Sequence, residues 1–93
     1  MTARDAATAI ALSWAGRAWP VPISALDDCA RNVVSVFVLS PELSNEDLRR
    51  GAEAQIAHRI QTDPATWWPM PPHLVAEMAS IAVTTWRGTN AAR

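Results

Sequence analysis

The sequence predicts an all-α fold, a small bundle of about four short helices that prolines separate. Two observations support this prediction. Apolar residues recur three or four positions apart in four segments, which is the spacing of one face of a helix. Prolines lie between these segments, where they end helices and stiffen the connections. A chain of 93 residues fits one domain, so we expect residues 1–93 to form a single helical domain.

The first helix is expected over about residues 5–18. Thr2 and Asp5 form the Ser/Thr-x-x-acid pattern of a helix start, and Pro20 ends the segment. Leu12 adds apolar surface outside the main face, so we expect this helix to be buried on several sides or covered by a partner. The residues of the main apolar face are Ala7, Ile10, Ala11, Trp14 and Ala18.

The second helix is predicted to start at Ser24, with Asp27 three residues later in its first turn. The β-branched residues near 33–39 also fit a strand, which gives an α+β fold as the alternative. We favour the helix because its apolar stripe continues in phase and no second strand is evident. That stripe consists of Leu26, Cys29, Ala30, Val33 and Phe37.

The third helix has the best-defined start, because Ser44 caps it and Asp47 follows three residues later. Gly51 lies inside this helix, where it costs about 1 kcal/mol relative to alanine and would permit the close approach of another helix. The expected buried face is Leu48, Ala52, Ile56 and Ile60.

A proline-rich segment separates the third helix from the fourth. Asp63 as cap and Pro64 at the first helical position predict a single short turn. The fourth helix is expected to start near Pro72 or His73 and to stop at Gly88. Residues 88–93 are then a frayed tail.

Charge and cysteine content exclude several classes of function. The net charge of −1 provides no field that would attract nucleic acid or acidic lipid. The longest unbroken apolar run within residues 33–39 is four residues, too short to span a bilayer. Cys29 is the only cysteine, so no intrachain disulfide forms, and we expect a cytoplasmic protein.

Residues with catalytic or metal-binding chemistry are few and scattered. Cys29 lies on the apolar face of the second helix, which is typical of a core residue rather than a nucleophile. His58 and His73 lie on different elements without a metal-ligand spacing. We therefore predict no enzymatic activity, no metal and no cofactor.

Five tryptophans are the most unusual feature of the composition. Trp14 and Trp86 follow the helical spacing and are expected in the core. Trp67 and Trp68 are adjacent in a proline-bounded loop, so we expect one to anchor the loop and the other to be exposed. Exposed tryptophan is a common binding hot spot.

The function favoured by these features is a non-enzymatic protein-binding module, a small regulator or inhibitor that docks on a larger protein assembly. By analogy with other small helical proteins of this size, it would be an inhibitor of bacterial defence from a phage or mobile element, for example an inhibitor of a CRISPR effector. Two alternatives stay open: a structural subunit that homo-oligomerises through its apolar first helix, and, ranked lowest, a DNA-binding regulator. The expected partner contacts are Trp67, Trp68, Met70, Arg49, Arg50 and Arg59.

Overall fold

The fold is all-α, as the sequence predicts. The computed structural model describes residues 3–17, 21–39, 42–67 and 70–91, and within these ranges it contains no strand. Four helices follow one another along the chain: α1 (Ala3–Ala15), α2 (Ile23–Leu39), α3 (Asn45–Thr62) and α4 (Pro72–Ala91). None of these helices, over the described residues, is long and apolar enough to cross a membrane.

The strand alternative near residues 33–39 is wrong, because this segment forms the second half of α2. Val33 and Phe37 are fully buried on the same helix face as Leu26. The in-phase apolar stripe therefore outweighs the β preference of the branched residues, since only a helix brings these side chains to one surface.

Two predicted helix ends need correction. Helix α1 stops at Ala15 rather than residue 18, because Gly16 favours helix poorly and the Arg17 amide bonds to the Trp14 carbonyl three residues back, at 3.0 Å. Helix α2 starts at Ile23, and Ser24 is not its cap. The Pro22 carbonyl accepts the first amide bonds instead, at 3.0 and 3.1 Å. The predicted Thr2 cap, Ala18 and Pro20 lie outside the described residues.

Helix α3 starts as predicted. Ser44 has an extended backbone, its Oγ accepts the Asp47 amide at 3.2 Å, and its hydroxyl donates to Asp47 Oδ2 at 3.0 Å. One hydroxyl therefore satisfies an amide that the first turn of any helix leaves without a partner.

Helix α4 starts at Pro72, as expected, but the predicted stop at Gly88 is wrong. The helix continues to Ala91, and Gly88 has helical backbone with no atom near the position of a Cβ. A glycine ends a helix only where the chain turns into a left-handed conformation, and an exposed helical glycine otherwise costs only about 1 kcal/mol.

The helices form a closed ring of neighbours, in which α2 packs on α1 and α3, and α4 packs on α3 and α1. Side-chain pairs join the end of one helix to the beginning of its neighbour. Arg17 after α1 pairs with Glu77 of α4, Arg59 of α3 pairs with Asp28 of α2, and Arg87 of α4 bonds to Asn45 of α3. Neighbouring helices therefore run in opposite directions, which is the arrangement of an up-and-down bundle.

All four helices contribute to one core. Trp14 and Trp86 are both buried, as predicted, and the Trp14 indole N–H donates to the Met78 carbonyl of α4 at 3.0 Å. Trp86 packs against Phe37 with ring centroids 5.7 Å apart. Gly51 brings α3 close to α2, because a Cβ there would lie 3.1 Å from Val36 Cγ1. Its predicted role in close helix approach is thus consistent with the packing.

Candidate functional site

The loop between α3 and α4 leaves α3 through a hydrogen-bonded turn. The Asp63 amide caps the end of α3 by donating to the Arg59 carbonyl at 3.0 Å. The Asp63 carbonyl then accepts the Trp67 amide at 2.9 Å, which closes the single turn that the sequence predicts. One residue therefore ends the helix and starts the turn, and this fixes the direction in which the chain leaves α3.

Trp67 and Met70, both expected to contact a partner, lie mainly inside the bundle. The exposed fraction is 2% for Trp67 and 8% for Met70. Trp67 is thus the tryptophan that anchors the loop, and its indole is not available on this surface. Trp68 lies outside the described residues, so its exposure stays a prediction.

Arg49 and Arg50 lie on the outer side of α3 and interact with acids of their own helix. The Arg49 guanidinium contacts both Glu46 and Glu53, and Arg50 Nε lies 3.4 Å from Glu46 Oε1. The hydrogen bond from Arg49 lowers the pKa of Glu46 below its usual value, and the same bond raises the pKa of Arg49. Arg50 keeps most of its side chain in solvent, whereas Arg49 is half-buried.

Arg59 is on a different side of α3 and bridges to α2. Its Nη1 lies 3.3 Å from Asp28 Oδ2. In the amide orientation that satisfies both groups, the Asn32 side-chain oxygen accepts from Arg59 Nε at 3.1 Å. Arg59 therefore ties two helices together, and it does not share a surface with Arg50.

A groove of about 880 Å³ runs between α3 and α4, and it brings together two of the predicted contacts, Arg50 and Met70. Its floor is formed by small or branched apolar side chains, and polar groups lie among its lining residues. We call this surface the α3–α4 groove. Its lining residues are Arg50, Glu53, Ala54, Ala57, Ile60, Gln61, Met70, Pro72, His73, Val75 and Ala76.

The cysteine and the two histidines, the side chains with catalytic or metal-binding chemistry, are not brought together in this groove. Cys29 is fully buried in the core, and burial raises the pKa of its thiol to about 12. The unreactive thiol form is thus favoured at neutral pH. His73 lines the groove but His58 does not, and no group of three potential metal ligands exists among the described residues.

Sequence reasoning missed most of the groove. Ala54 and Ala57 are exposed on α3, out of phase with the buried stripe from Leu48 to Ile56. Apolar residues out of phase with a core stripe are the signal that would have indicated a second apolar face on this helix. Val75 on α4 is a weaker signal, because it also fits beside the core face of that helix.

Comparisons with protein-family models, with curated proteins and with solved structures find no match to this chain.

Proposed function

We propose that this chain is a non-enzymatic protein-binding module, a small cytoplasmic regulator or inhibitor, that receives a helix of a larger partner in the α3–α4 groove. The observation that supports this proposal is the groove itself, an elongated apolar surface between two antiparallel helices. Recognition of an amphipathic helix in an apolar groove is a recurrent mode of protein binding.

The composition of the groove favours a helix as the occupant. Three of its lining residues are alanines, whose small side chains let another backbone approach closely: Ala54, Ala57 and Ala76. Ile60 and Val75 supply branched apolar surface beside them. A partner helix with apolar residues at positions i, i+3, i+4 and i+7 matches such a floor.

The charged residues that line the groove indicate which charge the partner helix carries beside its apolar face. Glu53 is already engaged by Arg49, so its charge is largely compensated. Arg50 has only a loose contact with Glu46 and a side chain that is 70% exposed. An acidic residue beside the apolar face of the partner helix would pair with Arg50, which contributes more to orientation than to affinity.

The two alternative functions have less structural support. The main apolar face of α1 packs inside the bundle, which leaves Leu12, 60% exposed, as the large apolar side chain of this helix on the described surface. One such side chain is a small seam for a second copy. The buried residues are Ala7, Ile10, Ala11 and Trp14. Arg49 and Arg59 are engaged by acids of this chain, which reduces the charge available for DNA phosphates.

The test compares two arginine substitutions at exposed helical positions. Ala57→Arg places a charge in the groove, and Ser13→Arg is the matched control on α1. Tagged wild-type chain captures a partner from its native host, which mass spectrometry identifies, and titration calorimetry then measures Kd for all three purified chains. We expect Ala57→Arg to weaken binding about tenfold or more, because a charge is desolvated without a counterion, while Ser13→Arg leaves Kd unchanged.

The melting temperatures of the three chains must agree, so that loss of binding is not loss of fold. Equal affinity of the wild-type and Ala57→Arg chains would place the partner on another surface. A native mass of several copies with no heterologous partner would favour the structural subunit.

A further inference from the structure

A smaller cavity lies between α3 and α4 beyond the α3–α4 groove, toward the start of α3. Its volume is about 180 Å³, and its lining is mainly polar. Arg87 Nε donates to Asn45 Oδ1 at 2.8 Å, so this part of the seam joins the end of α4 to the start of α3. We call this cavity the polar cleft. Its lining residues are Asn45, Glu46, Arg49, Ser80, Val83 and Thr84.

The groove and the polar cleft lie on one continuous face of each helix. On α4, Ala76 lines the groove, and Ser80 and Thr84 follow it at intervals of four residues in the polar cleft. On α3, Glu46 of the polar cleft is four residues before Arg50 of the groove. Residues four apart lie on the same side of a helix. The two cavities are therefore successive parts of one seam.

The length of this seam decides how large a helix it can receive. The groove alone extends along α3 from Arg50 to Gln61, which is roughly 16 Å or three turns. With the polar cleft the seam begins at Asn45 and is about 24 Å long. A helix in the groove between two others crosses them at a shallow angle of about 20°. A partner helix longer than three turns therefore passes over the polar cleft.

The polar cleft presents hydrogen-bonding groups that the fold does not use. The exposed hydroxyls of Ser80 and Thr84 make no hydrogen bond with the other residues that the structure describes. By contrast, the exposed hydroxyls of Thr8 and Ser13 on α1 donate to the carbonyl four residues back, each at 3.0 Å. The Asn45 side-chain oxygen accepts from α4, and its two amide N–H groups are left. The cleft therefore complements polar side chains.

The order of charges along the seam complements a particular order in the partner. Arg50 in the groove is 70% exposed, and Glu46 in the polar cleft is 54% exposed. An acidic residue of the partner fits against Arg50, and a basic residue one turn farther along fits against Glu46. Because Glu46 also contacts Arg49, these pairs contribute more to register than to affinity.

We propose that the partner helix spans both cavities and has at least four turns. Its apolar stripe lies over the groove, its acidic residue lies against Arg50, and a polar segment with a basic residue lies over the polar cleft. This inference rests on the proposed function and adds the length and the polar half of the partner. The polar cleft then discriminates among amphipathic helices, because an apolar segment there would leave its polar groups without partners.

The experiment measures Kd by titration calorimetry for the purified partner that the wild-type chain captures. Thr84→Arg changes the polar cleft, and Thr8→Arg is the matched control, an exposed threonine of α1. Position 84 is two turns, about 12 Å, beyond Ala76 in the groove. We expect Thr84→Arg to weaken binding about tenfold, because it places a charge against the partner without a counterion, and Thr8→Arg to leave Kd unchanged.

Two milder variants separate hydrogen bonding from size. Thr84→Ser keeps the hydroxyl and should retain the wild-type Kd, whereas Thr84→Ala should weaken binding about threefold. Melting temperatures of all variants must agree with that of the wild type. Equal Kd values for Thr84→Ser and Thr84→Ala would overturn the hydrogen-bonding role of the polar cleft.

The groove variant Ala57→Arg distinguishes failure of this inference from failure of the proposed function. Loss of binding in Ala57→Arg but not in Thr84→Arg would confine the partner to the groove and overturn the extension alone. Wild-type affinity in Ala57→Arg would overturn both. An equal loss in Thr8→Arg and Thr84→Arg would indicate a nonspecific effect of the added charge and would also overturn the extension.

Discussion

Cys29 illustrates how the fold controls the chemistry of a single residue. The thiol lies in the core at 0% exposure, and burial is the largest cause of its raised pKa, ahead of the opposing effect of Arg59. The sequence predicts this placement correctly, because position 29 follows the apolar stripe of α2. The unpaired thiolate is therefore disfavoured in the folded state and favoured only after unfolding.

The first prediction concerns stability at alkaline pH. The pKa of the thiol is about 12 in the folded chain against an ordinary value of 9.0, so the contribution to stability is complete below pH 9 and decreases as pH rises toward 12. The slope of the unfolding free energy should approach about 1.4 kcal/mol per pH unit, for one proton released on unfolding. Urea unfolding between pH 8 and 11 measures it.

This titration is simple to interpret because the sequence contains no lysine and no tyrosine, the other side chains that titrate in this range. The matched control is Cys29→Ala, which should be less stable at pH 8 yet almost independent of pH above 9. A similar alkaline slope in Cys29→Ala would assign the titration to another group.

At the scale of the elements, the starts of α2 and α3 show when a capping pattern in the sequence is enough to predict the first residue of a helix. Ser44 is a correct prediction, because the hydroxyl that the pattern requires is free to bond its own helix. Ser24 shows the same pattern, yet the carbonyl of Pro22 already accepts the first amides and the helix begins earlier. A capping pattern alone does not show which of two nearby residues takes the cap position.

The second prediction compares two glycines in helices. Gly88→Ala should raise the unfolding free energy by about 0.5–1 kcal/mol, because the alanine has better helix propensity and nothing lies within 4 Å of its Cβ. Gly51→Ala should raise the unfolding free energy clearly less, or lower it, because the new Cβ would lie 3.1 Å from Val36 Cγ1 and must displace that side chain. Urea unfolding of both variants measures the difference.

The same glycine substitution in a chain that also carries Val36→Ala is the control for this comparison. It removes the side chain that Gly51→Ala would meet, so the second substitution should become more favourable there than in the wild type. An equal gain for both alanines in the wild-type background would show that α2 and α3 are not in close contact at Gly51.

At the scale of the whole molecule, the sequence predicts the core better than the surface. Helix periodicity identifies Trp14, Trp86 and the stripe of α2, because burial follows the spacing within one element. Whether Trp67 faces inward depends on how the loop crosses the bundle, which no local pattern specifies. The α3–α4 groove likewise depends on the relative placement of two helices. The sequence therefore does not separate Arg50 and Met70, which line the groove, from Arg59, which the fold directs toward α2.

The third prediction is that the chain unfolds as one cooperative unit. Trp14, Trp67 and Trp86 come from two helices and a loop, and all three are buried in the same core. Tryptophan fluorescence and far-ultraviolet circular dichroism should therefore give the same midpoint in guanidinium chloride. A fluorescence transition at lower denaturant would mean that the loop around Trp67 detaches before the helices unfold.

The order of the helices around the ring has a geometric consequence. The junction of α1 with α2 and the junction of α3 with α4 are on opposite flanks of a body whose shorter dimensions are 22 and 18 Å. A molecule seated on one flank does not obstruct the other. A partner helix in the α3–α4 groove would therefore leave the flank formed by α1 and α2 exposed to solvent, and the complex would bury one side of this chain.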